Sequence, residues 1–217
     1  MKANSRIIVF DLDGTLIDTL NDIHESLMIT LDNFGYPKFD ISTTKSYVGD
    51  GIKKLIERAV GKKNYNKEIE QFFREIYNKK IIETSKKYKQ IDYVLLTLKE
   101  TTPHLFIISN KSYKFTDIIV RHFNLDKYFK EWFGGDSFIE KKPSPIPLLE
   151  LFKKYNINPN KNSFMIGDNY TDIESGFYAG LSTIYCSYGY GRLAKITPDY
   201  IVNSPLEILN VIIKGVE

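Results

Sequence analysis

The chain has 217 residues, of which 42% are hydrophobic and 26% are charged, and its formal net charge is +3. This length suits one large domain or a core domain with an insertion, and the mild charge argues against nucleic acid as a partner. The single cysteine, Cys186, excludes an internal disulfide, and no apolar run approaches a membrane span, so we expect a cytoplasmic monomer or homodimer without membrane contact.

The first predicted element is a buried strand over "RIIVF" (6–10), which two acids, Asp11 and Asp13, follow directly. A turn after a strand needs only one acidic residue. Two carboxylates held close together repel each other and raise each other's pKa, so the arrangement is costly. The pair therefore indicates a chemical role.

The next region, residues 19–88, has a helical pattern. In "TLNDIHESLMITLDNFG" the apolar residues recur at steps of three and four, which predicts one helix that ends at Gly35. The stretches "GIKKLIERAVG" and "KEIEQFFREIYNKKIIETSKKY" predict further helices, and no strand is predicted. We therefore expect a helical domain over 19–88, inserted into a core made of 1–18 and 89–217.

Short apolar runs return after this region. They predict four more strands, at 105–109, 163–167, 182–186 and 200–202. Near-continuous apolar runs are typical of parallel strands that are covered on both faces, and helical patterns lie between several of them. The predicted fold class is therefore α/β: a doubly wound parallel sheet with a Rossmann-like core and an inserted α-helical cap domain.

Polar residues follow the predicted strands at the edge where open parallel sheets bind ligands. Ser109 and Asn110 end the second run, Asp168 and Asp172 follow the third in "GDNYTD", and Lys142 lies between them in "EKKPSP". Each piece alone has an ordinary explanation, such as a helix cap or a turn. Their combination in this order, after Asp11 and Asp13, is highly specific.

These residues carry a resemblance. The segments "FDLDGTL", "IISN", "KKP" and "GDNYTD" look like the four ordered motifs of the haloacid dehalogenase-like hydrolase superfamily, over nearly the whole chain. The helical insertion resembles the cap domain of that superfamily. Within it, "DGTLIDTLNDI", "VGDG", "SNK", "FGGD" and "SYGYG" resemble phosphoglycolate phosphatases most closely.

The resemblance implies a Mg²⁺-dependent phosphatase that hydrolyses a small phosphorylated metabolite through an aspartyl-phosphate. It makes Asp11 the nucleophile and Asp13 the group that protonates the leaving alcohol and then activates water. The implied metal ligands are Asp11, the backbone carbonyl of Asp13, and Asp168, with Asp172 orienting waters or Lys142. The implied phosphate contacts are Thr15, Ser109, Asn110 and Lys142.

The predicted cap supplies candidates for substrate specificity in "VGDG" (48–51), namely Gly49, Asp50 and Gly51. Under this hypothesis the glycines permit a tight loop over the strand ends, and Lys53 and Lys54 meet a substrate carboxylate. The alternative is that the glycines only end one helix before the next.

Three other functions stay open on the same motifs. A phosphosugar mutase of the β-phosphoglucomutase type would use the same acids but return the phosphate to a sugar. An inorganic pyrophosphatase would use the same site on another substrate. A non-catalytic regulatory protein on this fold would be expected to lack a motif acid or the lysine, and none is lacking.

Overall fold

A computed structural model describes residues 6–102 and 104–214. In chain order its strands are β1 (Ile8–Phe10), β2 (Ile17–Asp18), β3 (Lys86–Lys87), β4 (Leu105–Ile108), β5 (Glu131–Phe133), β6 (Phe164–Gly167), β7 (Ser182–Cys186) and β8 (Tyr200–Val202). Six of them form one sheet in the order β5-β4-β1-β6-β7-β8. Every pairing within that sheet is parallel.

Helices lie between most of these strands, with four in succession between β2 and β3. They are α1 (Leu20–Asn33), α2 (Ile41–Tyr47), α3 (Ile52–Val60), α4 (Lys67–Lys80), α5 (Ile91–Thr101), α6 (Tyr113–His122), α7 (Ile146–Lys154), α8 (Tyr170–Tyr178) and α9 (Pro205–Leu209), with a π-helical turn at Asn210–Lys214. We call residues 20–80 the α1–α4 segment. Among residues 6–102 and 104–214, no helix combines the length and the apolar character needed to cross a bilayer.

The central strand β1 shows why the sheet needs helices on both faces. Its residues are fully buried, and successive side chains point to opposite sides of the sheet. Ile8 and Phe10 join a large apolar cluster with residues of α5, α6 and the α1–α4 segment, whereas Val9 joins a second cluster with residues of α7. The predicted doubly wound α/β fold is confirmed.

The topology also places a crevice at the end of β1. The chain continues from β1 to β4 on one side and later returns to β6 on the other. In an open parallel sheet, loops that leave neighbouring strands in opposite directions open a crevice beyond the carboxyl ends, and ligands bind there. The residues that follow β1, β4 and β6 therefore meet at one edge.

Two parts of the strand prediction are wrong. The edge strand β5 was not predicted, because it contains only three residues, begins with a glutamate and is half-buried, so it lacks a continuous apolar run. No strand was predicted within 19–88 either, yet β3 pairs antiparallel with β2. The strand β3 consists of two lysines, so it has no apolar pattern to reveal it.

The predicted helix over 67–88 is too long, since α4 ends at Lys80. The chain then turns because the buried Asp22 carboxylate accepts hydrogen bonds from it. Asp22 Oδ1 accepts from Thr84 N at 2.8 Å, and Oδ2 accepts from Ser85 N at 2.9 Å. The unpredicted helix α2 begins at an N-cap, where the Asp40 side chain accepts from Thr43 N.

Candidate functional site

Three carboxylates converge beyond the strand ends. Asp11 follows β1, while Asp168 and Asp172 follow β6 and enter α8. One oxygen of each carboxylate lies within 4.8 Å of the others, and all three residues are buried. Burial raises the pKa of Asp168 well above its ordinary value, and the charges of Asp11 and Asp172 add to the shift.

Lys142 lies among these acids and is 1% exposed. Its Nζ donates to Asp11 Oδ1 at 2.8 Å and to the carbonyl oxygen of Ile108 at 2.5 Å. The same Nζ lies 2.6 Å from Asp172 Oδ1. The predicted connection between Asp172 and Lys142 is therefore present in the structure.

Asp168 is held in place by backbone donors from the loop after β7. Its Oδ2 accepts from Tyr190 N at 2.9 Å and from Gly191 N at 2.7 Å. The turn after β1 packs closely against the same carboxylate. Gly14 has a φ of +81°, and a Cβ atom there would lie 2.1 Å from Asp168 Oδ2, so only glycine fits.

The charges at this edge fit a divalent cation. Burial raises the pKa of Asp11 to about 7, with Lys142 opposing the shift and Asp172 and Asp13 adding to it. When ionised, the four acids Asp11, Asp13, Asp168 and Asp172 carry four negative charges. The buried Lys142 and Lys111 compensate two of these charges, so two remain. Carboxylate oxygens are the ligands that Mg²⁺ prefers, and it brings the missing two positive charges. Asp11 and Asp168 are the residues that would hold it.

Asp13 lies in a different environment from Asp11. Its Oδ1 accepts from Thr19 Oγ1 at 2.6 Å, and its Oδ2 lies 3.1 Å from Lys111 Nζ. The Thr19 hydroxyl also lies 2.9 Å from the Tyr190 hydroxyl, and Lys111 donates to the Tyr77 hydroxyl at 2.8 Å. A hydrogen-bonded chain therefore fixes Asp13 from two sides.

The sequence prediction missed these supporting residues. Lys111 directly follows the second motif in "SNK", and Tyr190 lies in "SYGYG", so position relative to a motif was an available signal for both. Tyr77 lies on α4, far from any motif, and no sequence pattern indicates that it reaches the sheet edge.

Ser109 and Asn110 are both at the predicted edge. Ser109 is buried, and its Oγ accepts from Lys111 N at 3.3 Å. The Asn110 side chain donates to two carbonyl oxygens, of Gly49 at 3.0 Å and of Lys142 at 2.8 Å. Its amide group therefore joins the α1–α4 segment to the strand ends, and the phosphate contact predicted for Asn110, through its backbone N–H, stays a prediction.

Two predicted contacts are not supported by the positions of their side chains. Thr15 is fully buried, and its hydroxyl is directed to Asp168 Oδ1 at 3.5 Å. The Asp50 carboxylate accepts from Arg58 and from the Tyr170 hydroxyl, each at 2.5 Å. Neither Thr15 nor Asp50 lines the cavity described next. Both side chains have partners that the fold brings to them from distant parts of the chain, which residue type alone does not reveal.

A cavity opens onto this edge and is shared between the sheet and the α1–α4 segment. The loop before α3 contributes Gly49 and Gly51, and the sheet edge contributes Asp11, Asp13, Asp168, Ser109, Asn110, Lys111 and Lys142. The remaining wall from the α1–α4 segment is mainly apolar. It consists of Ile23, Val48, Ile52, Leu55, Phe73 and Tyr77.

Comparisons with known proteins agree with this arrangement. The family model described as "Haloacid dehalogenase-like hydrolase" matches residues 8–186. The chain belongs to the haloacid dehalogenase-like hydrolase family. This confirms the family that the four motifs indicated.

Relatives of the family match this chain over most of their length. A phosphoglycolate phosphatase of Aquifex aeolicus is 35% identical, with 95% of this chain and 96% of that protein covered. One of Psychrobacter arcticus is 36% identical, with 86% and 85% covered. A solved structure of a predicted phosphoglycolate phosphatase from Haemophilus somnus superposes with a TM-score of 0.86 at 28% identity, covering 97% of this chain and 99% of that one.

Proposed function

We propose that this family member is a Mg²⁺-dependent phosphatase that hydrolyses a small phosphorylated metabolite through an aspartyl-phosphate. The observation that carries the proposal is the separation of Asp11 and Asp13 into two environments. Asp11 lies with the buried acids and Lys142, whereas Asp13 is held by Thr19 and Lys111. Two carboxylates with different surroundings suit two different roles.

Asp11 is suited to attack phosphorus. Its position at the end of β1 gives it a rigid backbone, and Lys142 fixes one carboxylate oxygen at 2.8 Å. When bound, Mg²⁺ would neutralise part of the repulsion between the carboxylate and the phosphate oxygens. Attack by Asp11 divides a very slow hydrolysis into two easier steps.

Asp13 is suited to move protons. Protonated Asp13 would give its proton to the leaving alcohol oxygen, and the resulting carboxylate would then accept a proton from the water that attacks the aspartyl-phosphate. The Thr19 hydroxyl and Lys111 hold both oxygens of Asp13, so its orientation is set before the substrate arrives.

The substrate we propose is a phosphoglycolate-like ester, as the names of the relatives indicate. The apolar wall of the cavity supports a small substrate over a phosphosugar, because sugar hydroxyls need polar partners once they are buried. This observation weighs against the mutase. The boundaries of the predicted cap at 19 and 88, the cytoplasmic location, and the choice between monomer and homodimer remain predictions.

The test is the Asp11→Asn variant, which removes the nucleophile without changing its volume. We expect phosphate release from 2-phosphoglycolate with Mg²⁺ to fall to background, while the circular dichroism spectrum and the urea midpoint show a folded protein. A folded Asp11→Asn protein that releases phosphate at the wild-type rate would contradict the aspartyl-phosphate route. Conversion of a sugar 1-phosphate to its 6-phosphate by the wild type would favour the mutase.

A further inference from the structure

Lys111 is a buried cation at the boundary between the sheet and the α1–α4 segment. The residue is 8% exposed and lines the cavity with Asp13 and Tyr77. Among the residues that the structure describes, Asp13 and the Tyr77 hydroxyl are the polar side-chain groups in contact with its Nζ. A lysine ammonium group has three hydrogens, so one remains for a ligand.

The other candidate lysines are engaged elsewhere. Lys54 Nζ pairs with Glu57 at 2.7 Å and Lys53 Nζ approaches the same carboxylate at 3.9 Å, both on an exposed face, and neither lysine lines the cavity. Lys142 does line it, but Asp11, Asp172 and the Ile108 carbonyl already surround its Nζ. Within the described part of the chain, Lys111 is thus the lining cation with donor capacity left.

Tyr77 supplies a second donor at the same place. Its hydroxyl oxygen accepts from Lys111, so its own hydrogen is free to be donated. Its ring stacks on Phe73 with centroids 5.6 Å apart and packs edge-on against Phe115 at 5.1 Å. These contacts fix the ring, so the two donors form a preorganised pair.

We propose that Lys111 and Tyr77 bind the carboxylate of the substrate, and that they select phosphate esters whose carboxylate is one carbon away from the ester oxygen. This rests on the proposed function, since the phosphate must lie at Asp11 and the ester oxygen at Asp13. The pair joins one residue of the sheet edge with one residue of α4. Substrate selection therefore does not come from the α1–α4 segment alone.

Distances set the length of the substrate. A general acid approaches the ester oxygen to within about 3 Å. Lys111 Nζ lies 3.1 Å from Asp13 Oδ2, so it is within about 6 Å of that ester oxygen. One carbon, a carboxyl group and one hydrogen bond also span about 6 Å. A longer chain would carry its carboxylate past both donors.

Charge favours a carboxylate over a second phosphate group. A carboxylate has one negative charge and two oxygens, which match one ammonium group and one hydroxyl. A second phosphate would bring nearly two charges against the apolar wall of Phe73 and Leu55, which offers no further cation.

The experiment compares three esters, namely 2-phosphoglycolate, its neutral carboxamide analogue 2-phosphoglycolamide, and ethyl phosphate. We expect the wild type to prefer 2-phosphoglycolate. In Lys111→Met the preference for 2-phosphoglycolate over 2-phosphoglycolamide should fall roughly 10- to 100-fold, mainly through KM, as expected for the loss of a charged hydrogen bond. The Tyr77 hydroxyl contacts Lys111 and not Asp13. Tyr77→Phe should therefore reduce the preference for 2-phosphoglycolate over 2-phosphoglycolamide, by a smaller factor than Lys111→Met.

The Lys54→Met variant is the matched control and should keep the wild-type preference. An equal loss on all three esters in Lys111→Met, together with an unchanged preference in Tyr77→Phe, would show that Lys111 acts only through Asp13 and would overturn the proposal. A wild type that hydrolyses all three esters equally would overturn the carboxylate site but leave the phosphatase standing. Hydrolysis of none of them, nor of any other phosphate ester, would overturn both.

Discussion

Replacement of Lys142 with methionine should destabilise the protein, and the loss should grow as pH rises. Methionine keeps the length and apolar volume of the side chain but removes the ammonium group that contacts Asp11, Asp172 and the Ile108 carbonyl. Two buried carboxylates then face each other without a cation. In wild type, Lys142 already lowers the pKa of Asp11 against the larger effect of burial.

The magnitude follows from the burial of the pair. Breaking a buried ion pair by removing one partner costs about 3–5 kcal/mol, because the remaining charge is left uncompensated. With a urea slope of about 2 kcal/mol/M, the midpoint should fall by roughly 2 M. The pKa of Asp11 in the folded protein is raised from its ordinary 3.8 to about 7, so ionisation costs stability as pH rises through that range. Removing Lys142 raises this pKa further above 7, so the extra loss relative to wild type should be small below pH 7 and should grow as pH rises above it.

The assay is urea unfolding followed by circular dichroism at pH 5 and pH 8, in chelator and then in Mg²⁺. Added Mg²⁺ should recover part of the loss at pH 8, because it supplies positive charge to the same acids. Lys154→Met is the matched control. Lys154 forms an exposed pair with Glu131 at 2.6 Å, and its loss should cost less than about 1 kcal/mol. A Lys142→Met midpoint equal to that of the wild type at pH 8 in chelator would refute the reasoning.

Three further predictions concern turnover. Asp13→Asn should reduce phosphate release from alkyl phosphates far more than from aryl phosphates, whose leaving groups need little protonation; equal losses would count against Asp13 as the general acid. A chelator should stop turnover, Mg²⁺ should restore it and Ca²⁺ should not, because Ca²⁺ takes more ligands at longer distances; full activity in chelator would refute the metal requirement. Gly51→Val should impair turnover of 2-phosphoglycolate much more than turnover of acetyl phosphate, because a Cβ atom at this position would lie 3.0 Å from Lys141 Nζ and 3.1 Å from the Asn110 carbonyl oxygen. Gly35 has a similar φ of +71° but open space around it, so Gly35→Val should leave both rates near wild type. If Gly51→Val and Gly35→Val lost the same activity, backbone strain rather than the site would be responsible.

The candidate site at the sheet edge could be predicted from the sequence because its parts are local. An apolar run followed by Asp11 and Asp13 indicates both where the strand lies and which residues lie beyond its end. Parallel strands of one sheet share a carboxyl edge, so Ser109 and Asp168 had to lie near Asp11 once their runs were identified as strands. This reasoning uses only the direction of each strand and needs no knowledge of side-chain packing.

The strands that were missed lack the pattern on which such reasoning depends. β5 is held by pairing with β4 at the edge of the sheet, and β3 by pairing with β2, so backbone hydrogen bonds to a distant partner decide both. The side chains of Glu131, Lys86 and Lys87 carry no period-two apolar signal. For such elements, pairing is a property of the tertiary structure.

Side-chain partners across elements were likewise decided only by the fold. Lys111 and Tyr77 are 34 residues apart, and packing α4 against the sheet edge brings ammonium and hydroxyl to 2.8 Å. The same packing directs Asp50 to Arg58 and Tyr170 and away from the cavity. By itself the sequence determined which residues stand at the ends of the central strands, since that depends on strand direction. Only the tertiary structure decided which polar groups on helices and loops reach the cavity, because that depends on how separate elements pack.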